Sequence, residues 1–181
     1  LGSTRDDAAG EAYDKIAKMM GLGYPGGPVI DSLASRGDPE SYALPMPLSS
    51  TGKVEFSFSG LKTAAANIIR NSEKTGTSFK KEDICASFQK AVIGSLTCKI
   101  KLAADMTGVK RLTLSGGVAA NSGLRSRLNE MAEEEDWELF LPPKNMCTDN
   151  AVMIASAGTD SFLRGNRSDL SLSPDPSWEI W

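Results

Sequence analysis

The stretch Leu114-Ser115-Gly116-Gly117-Val118-Ala119-Ala120-Asn121 decides how the chain folds. Before it, Val109 to Leu114 reads as a strand that begins just after Gly108. After it, about Asn121 to Glu134 carries helical periodicity. Trp137 to Leu141 is a second strand, stopped by Pro142-Pro143, and about Asn150 to Leu163 is a final helix. Strand, glycine turn, helix, strand and helix in that order predict α/β layering with parallel pairing. Paired glycines after a strand let a ligand approach the backbone, and the helix that follows presents free amides. A plain βα turn reads the same way. The string is not GxGxxG and lacks the Walker lysine, so the Rossmann and P-loop patterns do not match.

Working outward, a long helix of roughly Glu82 to Met106 precedes the first strand, with Ile84, Phe88, Val92, Leu96 and Ile100 along one face. Ahead of it, Val54 to Phe58 alternates apolar and polar residues and predicts a half-buried strand. Leu61 to Arg70 then predicts a helix, with a polar loop from Asn71 to Lys80. Asp38 to Lys53 has no helical period. At the start, Ala9, Ala12, Tyr13, Ile16, Met19 and Met20 are spaced for a helix, with Thr4 as its N-cap and Asp7 in a capping-box position. Pro28 suits the first position of a short helix, Val29 to Arg36.

The chain has 181 residues, a net charge of −3 and no histidine. An acidic balance excludes a broadly basic nucleic-acid coat but not a local basic patch. Without histidine, a histidine triad, an HExxH metalloprotease site or a histidine metal ligand cannot form within these residues. The three cysteines, Cys85, Cys98 and Cys147, are too widely spaced for a CxxC metal motif and too few for a disulfide framework. That usage fits a reducing, cytosol-like compartment.

Three further strings have chemical content. In Asp6 to Lys15, Asp7, Glu11 and Asp14 stand at i, i+4 and i+7, which would put three carboxylates on one helix face. Such a face suits a hydroxyl-rich ligand or a cation, although spacing alone favours Glu11–Lys15 and Asp14–Lys18 surface pairs. In Cys147-Thr148-Asp149-Asn150, Thr148 or Asp149 reads as an N-cap, and Asp149 also as a metal-ligating carboxylate. Phe56-Ser57-Phe58-Ser59-Gly60-Leu61-Lys62-Thr63 reads as a phosphate-binding turn or as a helix start capped by Ser59.

DDAAGEAYDK at 6–15, YPGGP at 24–28, FSFSGLKT at 56–63, SGGVAAN at 115–121 and CTDN at 147–150, in that order, resemble the C-terminal part of one family. It is the bacterial and organellar TsaD-type tRNA threonylcarbamoyladenosine synthase subunit, long labelled a glycoprotease. The resemblance implies an actin-like ATPase (ribonuclease H-like) α/β lobe, here incomplete, with a mainly helical insertion. It would span residues 1–165, with 166–181 an irregular tail whose Trp178 and Trp181 dock on an apolar surface. The family's N-terminal lobe and histidine metal motif have no counterpart in these residues. The missing histidines and the start at Leu1 without methionine are therefore expected of a fragment that is inactive alone.

The implied activity is transfer of threonylcarbamoyl from its adenylate to the adenine beside the anticodon of tRNA. By motif, Asp14, Gly27, Gly116, Gly117 and Asn121 would contact the nucleotide, Glu11 would sit near the reacting group, and Asp149 would ligate metal. The implied cofactors are one divalent metal, iron or zinc, held only with the family's histidines, and a nucleotide, either threonylcarbamoyl-adenylate or ATP/ADP. The implied partners are tRNA, a paralogous actin-like subunit and a small ATPase, with no membrane, in a cytoplasmic or organellar compartment. For tRNA phosphates the candidate basic clusters are Lys62, Arg70, Lys74, Lys80 and Lys81, or Arg125 and Arg127. An actin-like small-molecule kinase domain and a non-catalytic scaffold lobe are the alternative functions.

Overall fold

A computed structural model describes residues 1–76 and 78–175; Trp178 and Trp181, expected to dock on an apolar surface, lie outside the described residues. The chain divides into two compact units, Leu1–Cys147 and Thr148–Trp181. The first unit contains helices α1 (Ala9–Met19), α2 (Gly26–Ala34), α3 (Ser59–Thr75) and α4 (Lys81–Thr107). Strand β1 (Arg111–Thr113), a 3-10 turn (Gly117–Ala120), α5 (Ser122–Glu135), β2 (Glu138–Phe140) and a second 3-10 turn (Lys144–Met146) follow. The fold is α/β and mostly helical. β1 and β2 pair in parallel with Leu112 opposite Leu139, as the strand–turn–helix–strand order predicts.

The core of this unit lies between α1, α2, α3 and α4. Ile16, Ile30, Leu61, Ile84, Phe88 and Val92 are fully buried there. Tyr13 meets Phe88 edge to face at 5.2 Å between ring centroids. The loop from Asp38 to Lys53 is fastened to α4: Ser87 accepts the Tyr42 amide at 3.2 Å, and buried Lys99 donates to the Thr51 carbonyl at 2.8 Å. Gly108 ends α4 with φ 68°, the left-handed conformation that glycine adopts without strain.

Several boundaries differ from the sequence reading. α1 starts at Ala9, not after Thr4, because the Thr4 hydroxyl donates to the Asp7 carbonyl at 3.0 Å and closes a turn there. The helix entry is fixed by Glu11, whose carboxylate accepts the Ala8 amide at 3.4 Å. α2 starts at Gly26, so Pro28 occupies its first turn, where no intrahelical N–H is needed. Residues 54–58 are not a strand. Phe56 forms one parallel bridge with Thr4, and the turn at Thr4–Asp7 ends the pairing after that step. The alternation itself survives, since the Phe56 and Phe58 rings stack 6.3 Å apart. Residues 71–75 extend α3 up to Gly76.

The second unit contains α6 (Ala151–Leu163). Its N-cap is Asn150, whose side-chain oxygen accepts the Met153 amide at 3.1 Å, which corrects the expectation of Thr148 or Asp149 in that role. Val152, Ile154, Phe162 and Leu163 are all more than half exposed. Among the described residues no helix is long and apolar enough to cross a membrane.

Candidate nucleotide site

The carboxylate-rich N-terminal string is divided by the fold. Asp6 and Asp7 precede α1, so Asp7 does not share a helix face with Glu11 and Asp14. Asp6 reaches across to the start of α3, accepting the Ser57 hydroxyl and the Phe58 and Ser59 amides, the latter two at 2.8 and 3.2 Å. Burial opposes its charge, but these three donors hold its carboxyl below the usual carboxylate range. Asp7 takes Lys15 at 2.7 Å and Lys62 at 2.6 Å. Hydrogen bonds from those two ammonium groups lower its pKa as well. Glu11 shares Lys15 at 2.6 Å, so the expected i, i+4 pair forms.

Asp14 does not turn toward Lys18. Its Oδ1 accepts the Gly26 amide at 2.7 Å, which places a carboxylate at the amino end of α2. Gly26 has no space for a side chain: a Cβ there would lie 2.6 Å from the Ala17 Cβ and 2.8 Å from the Tyr13 carbonyl oxygen. That close approach packs α2 directly onto α1. The next residue, Gly27, faces open space. Its backbone is therefore the accessible part of this helix end.

The second open backbone is the turn after β1. Gly116 has φ 86°, and neither Gly116 nor Gly117 has an atom within 4 Å of an added Cβ. The turn then rests on α1, since a Cβ on Gly10 would lie 3.5 Å from Val118 Cγ2. Asn121 is buried at the start of α5 and bonded through both ends of its amide. Its Oδ1 accepts the Leu124 amide at 2.8 Å, and its Nδ2 donates to Gln89 Oε1 at 2.7 Å.

Two residues that motif reading passed over connect these pieces. Gln89 on α4 also donates to Asp31 on α2 at 3.1 Å. Asp31 in turn accepts both the amide and the hydroxyl of Ser122, at 3.0 and 2.8 Å. An acidic side chain thus meets the amino end of α5, and three helices join through Asp31, Gln89 and Asn121. Two helices, each led by an open glycine backbone, are thus joined through Asp31, and the Asp14 carboxylate sits at the Gly26 amide beside Gly27. Two clefts of about 350 and 260 Å³ lie elsewhere, along α4 and beside β1, and neither is lined by these residues.

Asp149 belongs to the second unit, is exposed, and has no partner among the described residues, because Asn150 has taken the capping role. No group of three or more His, Cys, Asp or Glu side chains able to hold a metal ion occurs among the described residues. One carboxylate does not make a metal site. Of the basic candidates, Lys62 pairs with Asp7, Lys80 with Asp83 at 3.2 Å, and Lys81 donates to the Met20 carbonyl at 2.8 Å. Arg127 is held by Glu130 and Glu134 at 3.0 and 3.2 Å. Arg70 and Lys74, exposed on one face of α3, have no ion-pair partner among the described residues.

Comparison with known proteins finds one family. A family model described as "TsaD: tRNA N6-adenosine threonylcarbamoyltransferase" matches residues 1–156. A Bacillus cereus protein (strain ATCC 10987) named tRNA N6-adenosine threonylcarbamoyltransferase is 49% identical over 181 residues, covering 99% of this chain and 52% of its own length. A Thermotoga neapolitana protein of the same name is 44% identical over 180 residues, covering 99% of this chain and 54% of its own length. The chain spans about half the length of the curated relatives it matches. By its motifs and by these matches, the chain belongs to the TsaD family of tRNA N6-adenosine threonylcarbamoyltransferases.

Proposed function

We propose that this chain supplies the nucleotide-holding wall of a tRNA N6-adenosine threonylcarbamoyltransferase with an actin-like ATPase fold. The observation that supports it is that Gly27 at the start of α2 and the Gly116–Gly117 turn ahead of α5 are both open, and that these two helices are joined by the Asp31–Ser122 bonds. Free amides at such turns suit phosphate oxygens, and the nearby Asp14 suits ribose hydroxyls. In the reaction, the adenine N6 attacks the carbamoyl carbon of threonylcarbamoyl-adenylate. The carbon–oxygen bond to the phosphate breaks, AMP leaves, and N6 gives up a proton. The site's part is to hold the adenylate so that the carbamoyl carbon is presented to N6.

Glu11 is proposed to lie near the reacting group, where it would exchange its bond to Lys15 for one to substrate. Asn121 contributes by position, since its side chain is spent on Leu124 and Gln89. Asp149 supplies one metal ligand, and the rest of a divalent metal site, iron or zinc, would have to come from outside these residues. The half-exposed Phe140 on β2 and the apolar side chains of α6 are surfaces that the relatives' additional length would cover. The partners proposed are tRNA, a paralogous actin-like subunit and a small ATPase.

Reconstitution of the full-length protein with those partners tests the reading. Asp14→Ala and Asp149→Ala should each abolish tRNA modification while leaving assembly intact. Full activity in both variants would overturn it and favour a scaffold role.

A further inference from the structure

We propose that Arg125 is a positioning residue: its guanidinium tethers the exposed Gly116–Gly117 turn to segment 142–147 and so sets nucleotide affinity at that turn. The second half of this statement rests on the nucleotide reading above; the tether does not.

Arg125 lies on the first turn of α5 and touches three segments at once. Its Nε donates to the Ala119 carbonyl at 2.6 Å, and its terminal nitrogen donates to the Pro142 carbonyl and to Cys147 Sγ, the latter at 3.2 Å. The thiol is oriented to accept because its own hydrogen is directed at the Pro143 carbonyl, 3.5 Å away. A planar guanidinium serves acceptors in two directions with fixed geometry, whereas a lysine ammonium gathers its three donors at one point.

The turn needs such a support. A Cβ on Gly116 or Gly117 would meet no atom within 4 Å, and the internal bonds of the turn are Ala119 N–H to Gly116 O and Asn121 N–H to Val118 O. Its exposed end is therefore placed by its buried end, where the Ala119 side chain is fully buried and the Ala119 carbonyl is taken by Arg125. The other end of the tether is Cys147, buried, the residue from which the chain continues toward Asp149. A single side chain thus registers the glycine turn against the start of the CTDN string.

Amide hydrogen exchange and ADP titration on the full-length protein, wild type against Arg125→Lys and Arg125→Ala, test both halves. The tether predicts that Ala119, Asn121, Met146 and Cys147 amides exchange faster together, by about tenfold in Arg125→Ala, while α4 amides are unchanged. Arg125→Lys keeps the stem and charge and should fall between. Unchanged exchange in the two segments, or acceleration in one alone, overturns the tether. The affinity half predicts an ADP Kd raised about tenfold in Arg125→Ala, with Arg125→Lys between it and the wild type. Faster exchange with an unchanged Kd overturns that half. Wild-type protein that binds no ADP overturns the nucleotide reading and this half with it, while the exchange rates still decide the tether.

Discussion

The Asp14 carboxylate accepts the Gly26 amide at 2.7 Å, and Gly26 stands where α2 touches α1 with no room for a methyl group. Those two facts make the start of α2 a rigid seat for the open backbone of Gly27. Gly26→Ala should push the helices apart, because the obstructing atoms include the Tyr13 carbonyl and the Asp14 Cα, which cannot rotate away. Overpacking of this kind costs about 1–3 kcal/mol. Urea denaturation of the variant should show a lower midpoint with an unchanged slope. Gly27→Ala, facing open space, should leave the midpoint within error and weaken nucleotide binding instead.

The buried Asn121–Gln89 bond predicts a second stability effect. Asn121→Ala removes the cap of α5 and leaves the Gln89 amide oxygen without its donor, for a loss of about 1–3 kcal/mol. Gln89→Leu frees one Asp31 contact and one Asn121 contact together. The double variant should therefore lose less than the sum of the two single variants, which a double-mutant cycle by thermal denaturation would measure. Strict additivity would mean that the two side chains do not act as one unit.

How far the site was legible depends on whether its signals were local. Gly116 and Gly117 followed from their place between a strand and a helix, and Gly108 from its place after an apolar helix. Asn121 was legible as the start of α5 but not as buried, because its partner Gln89 lies 32 residues away on another helix. Asp31 carries no local signal at all, because its partner Ser122 lies 91 residues on. The three-carboxylate face failed for the opposite reason. Its spacing was right for a helix, but Asp6 and Asp7 are drawn out of helical register by the amides of α3 and by Lys62. The strand at 54–58 had the right alternation and only one bridging partner. Periodicity reports which side chains share a face; it does not report whether a neighbouring strand exists.

Asp6 and Asp7 predict the acid side of the stability profile. Both carboxyls are held below the ordinary value of about 3.9 in the folded chain. A depressed folded pKa means that the stabilisation is present above the unfolded value and is lost as pH falls through the folded one. Melting temperature should therefore hold on the neutral side and drop below about pH 4. Asp6→Asn keeps one acceptor for the α3 amides but loses the charge, and Asp7→Asn loses both lysine pairs. The double variant should melt lower near neutrality and show a flatter fall in acid. An acid limb as steep as in the wild type would assign the transition to other carboxylates.

On the proposed tRNA reading, Arg70 and Lys74 are the cations of this chain that phosphates would meet. They stand four residues apart on α3, exposed, with Asn67 and Asn71 on the same exposed stripe. Most other basic candidates already serve the fold: Lys62 neutralises Asp7, Lys81 fastens α4 to the end of α1, and Arg127 is held by two glutamates. A cation committed to an internal carboxylate has little left to give a phosphate, and reversing it disturbs the fold before it disturbs binding. Arg70→Glu with Lys74→Glu should weaken tRNA binding by the full-length protein and lower the slope of log K against log salt by about 1 per lost contact. The same reversal at Arg127 should leave the slope unchanged. If the Arg70–Lys74 variant binds tRNA with the wild-type slope, α3 does not face the nucleic acid and its cations serve only the helix end.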